Sequence, residues 1–470
     1  MKKTIFIAIA FGTSIRDVLR NKTFTELKKQ YNLDIVILSA NYNDKAFQDE
    51  FGGSNVFFEP LRNYTPSFFE RIAYHLHRAV LHDKCATIRL GNTIGKKGPT
   101  GFIVPFIRIA RKIISDAAIN NILKKLYEKF APVRKDEYHK LFLKYKPDLV
   151  ILTRVLNYSM DYPILRLASA MNIPSIVLVS SWDNLTSKGF FPFDINYLIV
   201  WNNIIKREAI ELFHFPKEKI FVSGIPRYDC FFNLNGYIDK KAFKERLGIQ
   251  ESKRIILYAT GSKDTGRSKF DNISPEPEIV KYLAEQISCG NVPDSHLIVR
   301  LHPQADPANY EEVFRRKDIS VQIPGYKSGF HDRIFKMNDD LEYAATLKYS
   351  DVVVNLASTV TIDAAVFNKP IVCVNYDHNG FRPYDQSVKR FYDFDHYHKL
   401  REIGGFVLAE SKSDLIDQVN QYLQNPSKDE NLRQKIVENI CAYSDGNSGA
   451  RVADFILGKL KNDEGADGNI

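Results

Sequence analysis

The chain has 470 residues, enough for two or three domains with large hydrophobic cores. Apolar residues make up 44% and charged residues 26%, an ordinary balance for a soluble globular protein. The formal net charge of +9 indicates an anionic partner, which could be a nucleotide, a lipid surface or a nucleic acid.

The five cysteines are scattered along the chain and form no CxxC pair, which argues against a structural zinc site or a disulfide framework. The apolar run at 4–11 is too short for a signal peptide. No run approaches the roughly 20 apolar residues needed to cross a bilayer. We therefore expect a cytoplasmic protein.

The first half alternates predicted strands and helices, with strands at 2–11, 34–39, 148–153, 173–180 and 195–201. Parallel α/β sheets place ligands just beyond strand ends. We therefore predict acceptor-side residues after the first strand, at Gly12, Thr13, Ser14 and Arg16. The turn is not GxGxxG, so the dinucleotide signal is absent.

The segment 84–136 is basic and aromatic, with twelve Lys/Arg against three Asp/Glu. Within it, 107–130 has apolar residues at helical spacing. One interpretation is a patch that rests on the anionic inner face of a membrane. The other is a solvated helical face that packs on its own domain. Nucleic-acid binding needs a recognisable module, and none is present, so we expect no nucleic-acid partner.

A third feature of the first half is the sequence Trp182-Asp183-Asn184, which follows the predicted strand 173–180. Tryptophan occurs only twice in the chain, and this one stands beside a carboxylate at a strand end. Asp183 is the candidate general base, with Trp182 and Asn184 on the acceptor side. The alternative is that Asp183 and Asn184 only cap the next helix or form an Asx-turn.

A glycine-proline turn at 224–229 separates two α/β halves, because a new strand-helix alternation follows it. The predicted strand 254–259 runs into Thr260, Gly261 and Ser262. A turn of small residues after a first strand is a possible phosphate loop. It lacks the GKS/T ending of a P-loop nucleotidase.

The predicted strand 296–301 ends in Arg300-Leu301-His302-Pro303. Residues two apart on a strand project to the same face, so Arg300 and His302 are expected side by side. A guanidinium and an imidazole can bind a diphosphate and stabilise it as a leaving group. The alternative is a buried, hydrogen-bonded structural histidine.

The stretch 350–377 has the pattern of a βαβ unit. Ser358 and Thr359 stand between a buried strand and the helix that follows, and Asp363 lies one helical turn later. Backbone N–H groups and hydroxyls at such a helix start can stabilise a phosphate. Many α/β proteins have the same turn without binding anything there.

Several motifs together resemble a known family. GIPRYD at 224–229, RLHP at 300–303, the stretch 350–377 and DGNSGARV at 445–452 are similar to the carboxyl-terminal half of CDP-glycerol glycerophosphotransferases. Related bacterial surface-polysaccharide glycosyltransferases carry similar motifs. The resemblance covers 224–454 and implies an α/β protein with two Rossmann-like domains facing a cleft, the GT-B fold.

The resemblance implies that the second domain holds the donor nucleotide, with His302, Ser358 and Thr359 near its phosphates. We predict an acceptor domain at 1–223, a donor domain at 224–445, a closing helix at 446–462 and a disordered tail at 463–470. The predicted donor-binding residues are Arg227, Thr260, Gly261, Ser262, Arg300, Ser358, Thr359 and Asp363.

The amino-terminal half departs from the family. The family has Trp-His-Gly, with a proposed catalytic histidine, where this chain has Trp182-Asp183-Asn184. An aspartate is a common base for displacement at a sugar's anomeric carbon. We therefore predict an inverting glycosyltransferase that moves a sugar from a nucleotide-activated donor to a glycan or lipid-linked acceptor in cell-envelope polysaccharide synthesis.

In this mechanism Asp183 takes the acceptor proton, and Arg300, His302 and the Ser358-Thr359 helix start neutralise the departing phosphates. No metal and no cofactor are expected, because basic groups and the helix dipole do this work. Three alternatives stay open: CDP-glycerol-type phosphotransfer, which would release CMP; a nucleotide-sugar 2-epimerase, which would need no acceptor; and a non-catalytic scaffold for polysaccharide assembly.

Overall fold

A computed structural model of the chain divides into two compact units. The first unit comprises Met1–Asp229, Ser328–His331 and Cys441–Ile470, and the second comprises Cys230–Lys327 and Asp332–Ile440. The structure describes residues 2–68, 70–71, 125, 137–153, 160–187, 194–234, 236–262, 274–327, 333–336, 338–378, 380–384 and 386–462. The predicted basic segment 84–136, except Lys125, and the predicted tail 463–470 lie outside the described residues.

The first unit contains a seven-stranded parallel sheet in the order β3-β2-β1-β4-β5-β6-β7. Its strands are β1 Lys3–Ile9, β2 Leu33–Ser39, β3 Val56–Pro60, β4 Leu149–Leu152, β5 Ser175–Leu178, β6 Tyr197–Val200 and β7 Ile220–Val222. Its helices, including short 3₁₀ and π turns, are Gly12–Ser14, Ile15–Leu19, Lys22–Lys28, Lys45–Phe51, Glu137–Tyr145, Tyr162–Ala170, Asn184–Ser187, Asn203–Phe213, Lys217–Lys219, Pro226–Tyr228 and Ser448–Asn462.

The second unit contains a six-stranded parallel sheet in the order β10-β9-β8-β13-β14-β15. Its strands are β8 Arg254–Ala259, β9 Ser295–Arg300, β10 Ile319–Gln322, β13 Val352–Asn355, β14 Ile371–Val374 and β15 Val407–Ala409, with a small antiparallel pair, β11 Tyr326–Lys327 and β12 Arg333–Ile334. The remaining helices and turns are Asp229–Phe232, Lys240–Arg246, Glu276–Ser288, Pro307–Tyr310, Glu311–Phe314, Asp339–Tyr349, Val360–Val366, Val388–Asp393, Asp395–Ile403, Lys412–Gln424, Glu430–Ile436 and Val437–Cys441.

Continuous apolar runs explain both sheets. Residues 5–9 of β1 and 352–354 of β13 are fully buried, as expected for parallel strands covered on both faces. In the second unit, β8, β9, β13 and β14 form one hydrophobic core with the helices Glu276–Ser288 and Lys412–Gln424. The fold-class prediction of two Rossmann-like α/β domains is therefore confirmed.

The order of the strands in each sheet indicates where a ligand would bind. The order reverses between β1 and β4 in the first unit and between β8 and β13 in the second. In open parallel sheets, ligands bind beyond the carboxyl ends of the strands at such a switch point. The segments that follow β1 and β4, and those that follow β8 and β13, are thus the places to look for function.

The unit division differs from the predicted boundary at 223/224. Residues 224–229 and the closing helix Ser448–Asn462 both belong to the first unit. The physical reason is Asp229, whose two carboxylate oxygens accept hydrogen bonds from the backbone N–H groups of Ser448 (2.9 Å) and Gly449 (2.8 Å). This carboxylate caps the start of the closing helix and ties the GIPRYD motif to the DGNSGARV motif.

Over the described ranges, no helix has the length and apolar character that a bilayer span requires.

Candidate functional site

The segment after β1 is a helix start rather than an open glycine turn. The helix Gly12–Ser14 follows the strand almost at once, and Gly12 and Ser14 are buried. The Thr153 hydroxyl, just beyond β4, donates to Ser14 Oγ over 2.9 Å. Thr13 and Arg16 are half-buried. The predicted acceptor-side residues therefore lie at the switch point, and the hydroxyl of Ser14 is bonded within the fold.

Asp183 begins the short helix Asn184–Ser187. The Ser187 hydroxyl donates to Asp183 Oδ2 over 2.8 Å, and the Ser187 N–H donates to the Asp183 carbonyl over 2.9 Å. Asn184 Nδ2 contacts the other carboxylate oxygen at 3.3 Å. Asp183 itself is half-buried, whereas Trp182 and Asn184 are buried. The Asp183 side chain is thus held at the start of this helix by the side chains of Ser187 and Asn184. Both the capping alternative and the role of Asp183 as a base stay predictions.

Arg227, predicted to bind the donor phosphates, lies in the first unit and forms a buried ion pair there. It donates to Asp17 Oδ1 over 3.0 Å and to the Ser180 carbonyl over 2.8 Å. Its guanidinium carbon lies 4.6 Å from the centre of the Trp201 ring. Burial raises the pKa of the Asp17 carboxyl, and the charge and hydrogen bond of Arg227 oppose that rise. Asp17 is the residue that the sequence analysis missed here.

We call Asp17, Ser180, Trp182, Asp183 and Arg227 the first-unit site. These residues follow the carboxyl ends of β1, β5 and β7. They combine one half-buried carboxylate with a buried pair of opposite charges. A carboxylate in such a place can accept a proton from a substrate hydroxyl.

In the second unit, a backbone N–H of the predicted phosphate loop after β8 is hydrogen-bonded to a side chain of the same unit. The backbone N–H of Gly261 donates to both oxygens of Glu276, at 2.9 and 3.0 Å. Thr260 is buried and Ser262 is half-buried. The Gly261 N–H is therefore engaged by Glu276, and phosphate binding by this turn stays a prediction. Ser262 is the last described residue before a gap at 263–273.

Glu276 was not anticipated from the sequence, although it starts the helix Glu276–Ser288. Its side chain is fully buried beside Tyr258, whose hydroxyl lies 3.4 Å from Oε1. Burial raises the pKa of Glu276 to about 8, although the Gly261 N–H and Tyr258 lower it in part. The group is thus mostly uncharged at neutral pH. A Pro-Glu-Pro-Glu sequence at 275–278 marks the helix start, but nothing local indicates a buried acid.

His302 lies beyond the end of β9, which stops at Arg300. Its backbone N–H donates to Thr260 Oγ1 over 2.9 Å, and its ring Nδ1 accepts from the Gln304 N–H over 3.0 Å. Burial lowers the pKa of the His302 imidazole to about 4. Because Nδ1 accepts a hydrogen bond, the proton of the neutral ring resides on Nε2. His302 can therefore present an N–H donor to an anion without carrying a charge.

Arg300 is buried and turned toward other partners. Its guanidinium donates to Gln322 Oε1 over 2.9 Å and to the Asp339 carbonyl over 3.3 Å, and its carbon lies 4.8 Å from the centre of the Tyr343 ring. The expectation that Arg300 and His302 share one strand face does not hold, because His302 is not on the strand. Phosphate binding by Arg300 stays a prediction.

After β13, Ser358 and Thr359 do stand at a helix start. Ser358 Oγ accepts from the Val360 N–H over 3.3 Å, while the Ser358 N–H donates to Asn355 Oδ1 over 3.2 Å. Ala357, just before them, has a positive φ of 41°, an uncommon and strained backbone conformation for alanine. One turn later, the buried Asp363 accepts from the Tyr343 hydroxyl.

We call Thr260, Gly261, Glu276, His302 and Ser358 the second-unit site. These residues follow β8, β9 and β13, the strands around the switch point. The predicted donor residues Thr260, His302 and Ser358 are thus placed around one strand-end region, and Thr260 and His302 are directly hydrogen-bonded.

The sequence contains two aspartate pairs, Asp339-Asp340 and Asp393-Phe394-Asp395, and the first aspartate of each accepts hydrogen bonds within the fold. Asp339 accepts from the Gly325 N–H over 2.9 Å. Asp393, in the Asp-x-Asp pattern, accepts from the Tyr384 hydroxyl over 2.6 Å and from Arg401 over 3.0 Å. Among the described residues, no group of three or more His, Cys, Asp or Glu side chains is arranged to hold a metal ion.

Two curated proteins of wall-polymer synthesis are similar to this chain. The minor teichoic acid biosynthesis protein GgaB of Bacillus subtilis (strain 168) is 27% identical over 249 residues, covering 52% of this chain and 24% of that protein. The teichoic acid poly(glycerol phosphate) polymerase of Bacillus spizizenii is 25% identical over 268 residues, covering 55% of this chain and 59% of that protein. The matches therefore span less than two thirds of the length of these relatives.

Solved structures that share the fold include two 2-epimerases. A putative UDP-N-acetylglucosamine 2-epimerase from Listeria monocytogenes has a TM-score of 0.57 at 12% identity, over 98% of both chains. The UDP-GlcNAc 2-epimerase from Neisseria meningitidis has a TM-score of 0.54 at 11% identity, over 97% of this chain and 100% of that chain. At such identities the likeness shows the fold alone.

The family comparison is decisive for classification. The sequence family described as CDP-Glycerol:Poly(glycerophosphate) glycerophosphotransferase matches residues 192–458. This span is 267 of the 470 residues, more than half, and it includes every residue of the second-unit site. The chain therefore belongs to the CDP-glycerol:poly(glycerophosphate) glycerophosphotransferase family.

Proposed function

We propose that the chain transfers an alditol phosphate, such as glycerol phosphate, from a cytidine-diphosphate-activated donor to a hydroxyl of a teichoic-acid-type acceptor. The observation that carries the proposal is the family match over 192–458. The teichoic acid relatives support it. These findings favour the phosphotransfer alternative over the sugar transfer that the sequence analysis preferred.

The reaction is a displacement at phosphorus. The acceptor oxygen attacks the donor phosphorus that bears the alditol, and a new P–O bond forms. The bond from that phosphorus to the bridging oxygen of CMP breaks, and CMP leaves with the electron pair. The acceptor proton passes to a base, for which Asp183 is the candidate because its half-buried carboxylate stands where the family has a histidine.

The second-unit site would receive the anionic part of the donor. His302 offers Nε2–H as a neutral donor, and Ser358 offers its hydroxyl at a helix start. Groups already fixed by the fold stabilise developing charge without reorganising during the reaction. We further propose that this stabilisation needs no metal. Activity that survives chelation by EDTA would support that point, and loss of activity restored by Mg²⁺ would contradict it.

A second candidate is sugar transfer with inversion at the anomeric carbon. The observation that favours it is Trp182-Asp183-Asn184, in which a carboxylate replaces the family histidine. In that reaction Asp183 would deprotonate an acceptor hydroxyl that attacks carbon, and a nucleotide would leave with its phosphates.

We also propose that the protein acts on the inner face of the cell membrane, where a lipid-linked acceptor would be reached.

Product analysis separates these functions. The purified chain is incubated with a teichoic-acid-type acceptor and either CDP-glycerol, CDP-ribitol or a panel of nucleotide sugars. We expect CMP release together with a gain of alditol phosphate on the acceptor. A nucleoside diphosphate with sugar on the acceptor would establish sugar transfer. Interconversion of free nucleotide sugars without an acceptor would establish epimerisation, and binding without turnover of any donor would favour a scaffold.

A further inference from the structure

Arg227 links segments that follow four different strands of the first sheet. It lies after β7, its guanidinium covers the Trp201 ring after β6, and it donates to the Ser180 carbonyl after β5. It also pairs with Asp17, which follows β1. One side chain therefore spans the carboxyl end of the sheet from β7 to the segment after β1.

The pair is well buried, with 14% of the Arg227 side chain and 8% of the Asp17 side chain exposed. A buried ion pair responds more strongly to loss of one partner than an exposed one, because the remaining charge is stranded. The pair is therefore suited to hold its neighbours in one arrangement.

The neighbour of interest is Ser180, which is held from two sides. Its carbonyl accepts from Arg227 over 2.8 Å, and its hydroxyl donates to the Thr153 carbonyl over 2.6 Å. Three residues later the chain reaches Asp183, the candidate base. Trp182 is buried in the same segment.

We propose that the Asp17–Arg227 ion pair is a positioning element that fixes the 180–183 segment, and through it the Asp183 carboxylate, for proton transfer. The activity part of this inference rests on the proposed function. The structural part, which concerns the segment itself, does not. In this proposal Arg227 acts through Asp17, the Ser180 carbonyl and the Trp201 ring, and this role replaces the expectation that Arg227 binds the donor.

The test removes the pair without stranding a charge, with the double variant Asp17→Asn/Arg227→Met. The matched control is Arg20→Met/Glu50→Gln, which removes another well-buried ion pair of the first unit, with N–O distances of 2.6 and 2.8 Å and 10% and 18% of the side chains exposed. We expect kcat to fall at least about tenfold in the double variant, because a small misplacement of a reacting group lowers the rate of the chemical step by that much or more. The donor KM should stay within about twofold, and the control should keep both constants.

A second readout does not depend on activity. The chain has two tryptophans, so Trp201→Phe leaves Trp182 as the only one, and phenylalanine keeps an aromatic face under Arg227. In that background we expect acrylamide quenching of Trp182 to rise at least about twofold when the pair is removed, because a loosened segment admits the quencher. The control variant should leave the quenching unchanged.

The outcomes separate the two ideas. Increased quenching with reduced kcat supports the proposal. Unchanged quenching, or increased quenching with unchanged kcat, overturns it while wild-type CMP release still supports the proposed function. If the wild type turns over no donor, the proposed function fails, and the quenching result alone supports or overturns the positioning of the segment.

Discussion

The buried ionisable groups at the carboxyl ends of the two sheets differ in their charge. In the first-unit site, a buried positive charge meets a buried negative charge, as Arg227 pairs with Asp17. In the second-unit site, burial keeps the ionisable groups neutral at pH 7, with the pKa of Glu276 raised to about 8 and that of His302 lowered to about 4. The same parallel-sheet plan thus carries two kinds of electrostatic environment.

The difference matters for the proposed chemistry. An ionised Glu276 would repel an arriving phosphate, whereas a protonated Glu276 adds no negative charge there. A neutral imidazole can donate a hydrogen bond to the phosphate. A general base, in contrast, must be ionised to accept a proton, and Asp183 is the candidate for that role in the proposed function. In the proposed function, proton transfer therefore belongs to the first-unit site and anion recognition to the second-unit site.

The largest expected effect comes from Asp183→Asn, which keeps the shape of the side chain and removes the base. We expect kcat to fall by about 100-fold or more, as for loss of a general base. Steady-state kinetics with the CMP-release assay would measure it. Asp44→Asn is the matched control, because Asp44 also starts a helix of the first unit and accepts from the Phe47 N–H over 3.1 Å. A rate within about threefold of wild type would remove Asp183 from the mechanism.

Asp229→Ala tests whether the first unit depends on a buried carboxylate for its assembly. The substitution leaves the N–H groups of Ser448 and Gly449 without their carboxylate acceptor at the start of the closing helix. We expect a loss of about 2 kcal/mol in the free energy of unfolding, the upper range for an N-cap. Urea denaturation measures it, with Asp239→Ala, which removes the cap of the Lys240–Arg246 helix on an exposed surface, as the milder control. Equal losses in the two variants would contradict the special role of Asp229.

His302→Ala tests anion recognition by a neutral donor. We expect donor affinity to fall about tenfold, the value of one hydrogen bond to a charged group. Calorimetric titration with CMP or the intact donor measures the change. His296→Ala is the control, because His296 lies on β9, the strand that precedes His302, contacts Ser320 at 2.9 Å and also has a pKa lowered by burial. Equal weakening in both variants would argue against a specific contact from His302.

Glu276→Gln should change the free energy of unfolding with a characteristic pH dependence. Since the folded-state pKa is about 8 and the ordinary value 4.5, the native state binds the extra proton between these values, so stability falls as pH rises from 4.5 to 8. The introduced glutamine would mimic the protonated acid and remove that slope. We expect the stability of the variant relative to wild type to be on the order of 4 kcal/mol higher at pH 8.5 than at pH 5, since each unit of pKa shift contributes about 1.4 kcal/mol. Parallel thermal melts at the two pH values would show whether the slopes coincide, which would refute a neutral Glu276.

The sequence supports much of the architecture and part of the site. The predicted strand at 254–259 coincides with β8, and β13 lies at the start of the predicted βαβ unit at 350–377. Short strands with less distinctive patterns, such as β3 and β15, were not predicted. Ser358 at a helix start and His302 beyond a strand end follow from local patterns of the chain. The contact made by Glu276 does not follow from a local pattern, because its partner Gly261 lies 15 residues away along the chain.

Sequence alone determined the α/β class, the strand-helix alternation and the motifs that mark the family, because apolar runs and helix starts are encoded by residues close together in the chain. Tertiary structure alone decided that Asp17 meets Arg227 across 210 residues and that Asp229 caps a helix 220 residues later. Such contacts arise from the order of the strands in each sheet, which brings distant segments to the same carboxyl end. No local pattern specifies that order, so the charges that meet there become visible only in the fold.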